Sequence, residues 1–121
     1  MDEALRQMLR GMEPELYPEP YGYSVQPGPV AGAFAMVAED EGLTVVAPLS
    51  ILPCDTAWAR ISLRLHSDLA AVGLTAAFAR ALGEKGISAN VVAGYYHDHI
   101  FVQWDRRHDA MDALKALARD A

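Results

Sequence analysis

Cys54 is the only cysteine among the 121 residues, so no intrachain disulfide can form and a four-cysteine metal site is excluded. Beside an apolar run such a thiol is expected to act as a small packed hydrophobe. Positive charge is also scarce. Ten Lys and Arg face sixteen Asp and Glu, giving a formal net charge of −6, and no basic cluster appears. That argues against nucleic acid as a partner, because a phosphate backbone is held by clustered cations. No apolar run approaches the length of a membrane-spanning helix, and Met1-Asp2-Glu3 is an acidic start without an apolar h-region. No membrane association is therefore expected, and the cytoplasm is the expected compartment.

Catalytic signatures are missing as well. Gly83-Glu84-Lys85-Gly86 closes a helical pattern instead of following a strand, so it does not form a phosphate loop. No serine sits in a strand-to-helix elbow, and there is no dinucleotide fingerprint. Glu39, Asp40 and Glu41 fall in a turn, where a solvated hairpin tip is expected rather than acid–base chemistry. The expectation is a protein that is not an enzyme and takes no cofactor.

What is present is a sizeable core for one domain, or for two very small ones sharing a sheet: 52% of the residues are apolar. Leu5, Met8, Leu9 and Met12 at helical spacing predict a helix over Asp2–Met12. Pro14, Pro18 and Pro20 predict an extended connection before a short strand at Tyr21–Val25. Ala33–Ala38 and Leu43–Ala47 read as two strands joined by the acidic turn, with Gly42 free to take a positive φ. Ala59, Ile61, Leu63 and Leu65 alternate with polar residues, which predicts a strand with one buried face. Leu74, Ala77, Phe78, Ala81 and Leu82 predict a helix ending at Gly86 as its C′ residue. Two further strands, Ser88–Gly94 and His99–Trp104, flank a turn at Tyr95–Asp98. Asp105 is expected to cap a last helix that buries Ala110, Ala113, Leu114 and Leu117.

The second half is most of a split βαβ arrangement lacking one strand, a vacancy that a strand of the first half could fill. The fold class is therefore α+β, a two-layer sandwich with helices on one face of an antiparallel sheet. Val92, Ile100, Val102 and Trp104 are expected on the opposite face. They are too apolar for a bare surface and so suggest a homodimer or a packed second module.

Two places could carry chemistry. His97 and His99, with His66 elsewhere, are the possible metal ligands, but the pair spans a turn and lacks a third and fourth ligand, so no metal is expected. The loop from His66 to Thr75 is the stronger candidate. Gly73 allows close approach of a backbone, the amides opening the helix at Leu74 and Thr75 suit a carboxylate, and Asp68 could accept an ammonium group. Asn90, at the start of the next strand beside Ser88 and Ala89, is expected to face them.

At these residues the chain resembles a known family. The run from Ile61 through Val72-Gly73-Leu74-Thr75 to Gly86-Ile87-Ser88-Ala89-Asn90 is similar to the ACT-domain signature. Ser88 to Val102 looks like a group of small bacterial proteins of uncharacterised function with two ACT-like halves, related to the regulatory part of aspartate kinases. The resemblance implies a ferredoxin-like βαββαβ fold, with an N-terminal ACT-like half over 1–56 (a helix and three strands) and a C-terminal ACT domain over 57–121. It implies a non-catalytic regulatory role, with a small-molecule amino acid bound by Asp68, Val72, Gly73, Leu74, Thr75, Ser88, Ala89 and Asn90. Two departures stand out: Val72 replaces the proline that often precedes the glycine, and the spacing from Asp68 to Gly73 is long. The alternative is an ACT-like module that has lost its ligand and serves dimerisation or protein interaction.

Overall fold

In the computed structural model, residues 2–66 and 72–121 are described. In chain order the elements are α1 (Glu3–Arg10), β1 (Pro14–Gln26), β2 (Ala35–Glu39), β3 (Gly42–Pro48) and β4 (Trp58–Leu63). After these come α2 (Leu74–Gly83), β5 (Asn90–Ala93), β6 (Asp98–Gln103), a 3-10 turn at Trp104–Arg106 and α3 (Arg107–Asp120). They divide into two units, Met1–Tyr17 with Ala59–Ala121, and Pro18–Trp58.

In the larger unit the strands run in the order β1-β4-β6-β5, so β1 stands beside β4 at the edge the strand–helix–strand–strand–helix order leaves vacant. The alternation read in β4 is observed: Ala59, Ile61 and Leu63 are buried. They join Ile100 and Val102 of β6 in one core with Leu9, Phe78, Leu82, Ala110 and Leu114 of the three helices. The helices thus cover one face of these strands. Asp2 caps α1 by accepting the Leu5 amide at 2.8 Å.

The smaller unit is a three-stranded antiparallel sheet in the order β2-β3-β1. β2 and β3 meet in a tight hairpin whose tip is Asp40-Glu41, between the paired Glu39 and Gly42. Tyr21 packs edge-on to Phe34 at 6.2 Å between ring centroids, and Tyr23 to Trp58 at 5.9 Å.

Three expectations are corrected. The proline-rich segment is no connection: β1 is one strand of 13 residues that includes Pro14, Pro18 and Pro20. A proline's fixed φ suits extended backbone, and the ladder with β3 begins at Tyr21, beyond the last proline, so no amide is missed there. Asp105 does not cap the last helix, because it lies inside the 3-10 turn and no side chain caps α3. Finally, Ile100 and Val102 lie on the helix-covered face, and Trp104 packs at the rim of that same core. The register is the reason: Val91 opposes Ile100 while Val92 opposes His99, so Val92 and Ile100 point to opposite faces.

Candidate functional site

β4 ends at Leu63 and α2 begins at Leu74, with Gly73 as its N-cap at φ +100° and ψ −22°. Only glycine takes that conformation without strain, and a Cβ there would stand 3.1 Å from Leu5 Cδ2 of α1. What lies against Gly73 is the Leu5 side chain of α1. A glycine cap brings no side chain to the first turn. Ala77 N–H is the first to find a helical carbonyl, that of Gly73 at 3.0 Å. The amides of Leu74, Thr75 and Ala76 therefore point out of the positive end of the helix with no helical acceptor. Of the other loop candidates, Leu74 is buried, Thr75 is exposed and Val72 is 86% exposed. Asp68 lies outside the described residues. From Gly73 an apolar trough of about 540 Å³ runs along α2, lined by Leu5, Ala76, Ala77, Ala81 and Leu117, with Arg80 and Glu84 paired at its polar rim.

Ser88, Ala89 and Asn90 are at the other end of that helix. α2 is closed there by two hydrogen bonds, Gly86 N–H to Gly83 O at 2.9 Å and Ile87 N–H to Leu82 O at 3.0 Å. Gly86 sits at φ +70°, the left-handed C′ residue read from the sequence. Ser88 is exposed, Ala89 packs on the core, and Asn90 opposes Phe101, whose carbonyl its side-chain amide reaches at 3.4 Å. Ten residues of helix, about 15 Å at 1.5 Å per residue, separate Gly73 from this group. The structure does not bring Asn90 to Gly73 within one unit, contrary to the facing arrangement expected.

What stands by the end of β4 is instead the turn between β5 and β6. His97 Nδ1–H donates to Leu65 O at 3.1 Å, and Gly94 N–H donates to His97 O at 2.9 Å. The Tyr96 ring centroid lies 5.8 Å from that of His66 and 5.2 Å from that of Tyr95, a residue 73% exposed. His97 and His99 have separate partners, and no group of three metal-ligating side chains occurs among the described residues. Both imidazoles are engaged in hydrogen bonds.

His99 belongs to a polar group that sequence reasoning missed. It lies with Arg60, Ser62 and Tyr17 away from the helix-covered core. Ser62, the one buried polar residue among those described, has its Oγ 2.7 Å from His99 Nδ1 and accepts Arg60 Nε–H at 3.0 Å. Burial, then the positive charges of Arg60, His97 and Arg64, lower the His99 pKa to about 4. The ring is therefore neutral at pH 7, and one hydrogen bond joins its Nδ1 to the Ser62 hydroxyl. The guanidinium of Arg60 lies 3.8 Å over the Tyr17 ring. The alternation of Arg60 and Ser62 with Ala59, Ile61 and Leu63 was the available signal, but one strand's sequence does not show which residue of another strand meets it.

Residues 54–116 match a family model described as an ACT domain, and residues 2–50 match a second ACT-domain model. None of the curated proteins matches the chain significantly. Among solved structures, a Vibrio cholerae protein of unknown function, described as a possible transport protein, is 40% identical. That match covers 96% of this chain and 97% of the other, with a TM-score of 0.84. A protein from Agrobacterium tumefaciens is 19% identical over 83% of this chain and 84% of its own, with a TM-score of 0.69. A chain from the crystal structure of aspartokinase alpha and beta subunits is 12% identical over 89% and 97%, with a TM-score of 0.63. At 19% and 12% identity these last two likenesses concern the fold.

Proposed function

The chain belongs to the ACT-domain family, and from that premise we propose that it is a non-catalytic regulatory protein that binds a free amino acid. ACT domains are in general regulatory ligand-binding modules, and the likeness to aspartokinase subunits fits that role. The two matched segments, 2–50 and 54–116, support reading 1–56 and 57–121 as two ACT-like halves.

One observation carries the ligand reading: left-handed Gly73, as the N-cap, itself brings no side chain to the first amides of α2, at the mouth of an apolar trough. A ligand carboxylate would sit on the amides of Leu74 and Thr75, beside Val72, with Asp68 as acceptor for its ammonium group. The trough would take an apolar side chain. Because α2 separates Gly73 from Ser88, Ala89 and Asn90, those three would serve the same ligand only from a second copy. The reading therefore includes a homodimer in the cytoplasm, with no nucleic-acid or membrane partner.

A thermal-shift screen of the twenty amino acids tests it. At least one should raise Tm saturably by several degrees, since a ligand at about 100 times its Kd adds roughly 2.7 kcal/mol. A Gly73→Val variant should lose the shift. No shift with any of the twenty on the unaltered protein would overturn the reading.

A further inference from the structure

Charge is unevenly shared along this chain. All ten Lys and Arg, and all four His, lie outside Pro18–Trp58. That unit holds Glu19, Glu39, Asp40, Glu41 and Asp55 with no cation, so it carries five of the six units of net negative charge. Three of its five acids sit together at the β2–β3 tip.

Beside the tip runs strand β2, at the free end of the order β2-β3-β1. An edge strand turns the N–H and C=O groups of alternate residues outward, unpaired, as a template for another strand. Proteins usually blunt such an edge with lysine, proline or a bulge. β2 reads Ala35-Met36-Val37-Ala38-Glu39, with none of the first two, and pairs with β3 in unbroken register. Its side chains are exposed on both faces: Met36 at 47% and Val37 at 52%. Val37 opposes Thr44, which opposes Val25 at 66% exposure, so one row across three strands presents two valines to solvent. Apolar exposure next to a free strand edge marks an interaction surface.

We infer that the outer edge of β2 receives an extended, Lys/Arg-bearing segment of a partner protein, which adds a strand there, lays its apolar side chains on the Val37 face, and sets its cations against the acidic tip of Glu39, Asp40 and Glu41. A second copy of this chain is the poorer occupant, since it would bring a second unit of charge −5 and no compensating cation to the first. A basic strand matches both halves of the surface: backbone pairing supplies affinity, and the acidic tip fixes direction and selects charge. The inference does not depend on amino-acid binding.

The test uses the full chain and labelled hexapeptides of alternating Lys–Val, with Glu–Val and Lys–Pro hexapeptides as controls, read by fluorescence anisotropy. The Lys–Val peptide should bind at least about tenfold more tightly than either control, and more weakly as salt rises. Amide NMR shifts on binding should centre on residues 35–39. Asp40→Lys with Glu41→Lys, both at a solvent-facing tip where folding is not at stake, should weaken binding about tenfold. Met36→Lys with Val37→Lys should do the same, with folding checked by circular dichroism. Equal binding of the three peptides, or shifts centred elsewhere, would overturn the inference. So would a chain that self-associates through β2, shown by dimers in sedimentation that the Met36/Val37 double variant dissociates. A failed amino-acid screen with intact peptide binding would separate this inference from the ligand reading.

Discussion

His99 shows how much one side chain's surroundings set its chemistry. Its pKa is held near 4 by burial and by Arg60, His97 and Arg64, whereas in an unfolded chain it is about 6.5. Between those values the unfolded chain binds a proton that the folded protein refuses. This contribution to stability is therefore complete above about pH 6.5 and is lost as the pH falls toward 4. Solvent reaches part of the ring and screens the effect, leaving a loss on the order of 2 kcal/mol across that window. Urea unfolding from pH 7 to pH 4 should show it, and a His99→Gln variant, which cannot take up the proton, should lose that part of the slope. Equal slopes for the two proteins would mean that the ring titrates as in water. The histidine itself was visible as a candidate in the sequence. Its partner Ser62, 37 residues away, was not, because only the pairing of β4 with β6 brings the two side chains together.

At the scale of elements, β1 depends on a small residue in its second half. A Cβ on Gly22 would stand 2.7 Å from both Cys54 Sγ and Leu49 Cδ2. Cys54 is thus a packed side chain, as expected of a lone cysteine in an apolar setting. Gly22→Ala should destabilise the protein by about 1–3 kcal/mol through overpacking, measured by chemical denaturation. Adding Cys54→Ala to it should restore part of that loss; no restoration would place the strain elsewhere. Helix limits were readable where a local signal fixes them, as at Gly86 after α2. They were not readable at Asp105, where a 3-10 turn comes first and Arg107 donates to the Trp104 carbonyl at 2.7 Å while lying over its ring at 3.9 Å.

Across the whole molecule, electrostatics are repulsive in one unit and nearly balanced in the other. The ion pairs Arg10–Glu3, Arg80–Glu84, Arg106–Asp109 and Arg119–Asp120 each have at least one largely exposed partner, and such pairs contribute little. Screening should therefore relieve more repulsion than it removes attraction. Raising NaCl from about 20 to about 200 mM should raise Tm by a few degrees. A fall in Tm would show that the exposed pairs outweigh the crowded acids of the smaller unit.

The sequence by itself determined which segments become helix or strand in the second half, the turn at the acidic tip, the special status of Gly73, and the family. Each of these is written in contacts or conformations within a few residues: alternation along a strand, helical spacing, a glycine where φ must be positive. Tertiary structure alone decided that β1 is a single strand through its prolines, that Ile100 and Val102 face the helices, and that Ser62 meets His99. It also decided that the turn bearing Tyr96 and His97, rather than Asn90, stands at the end of β4. The physical reason is common to all four. Strand register and strand neighbours are set by residues far apart in the chain, and a shift of one residue in register turns every side chain to the other face.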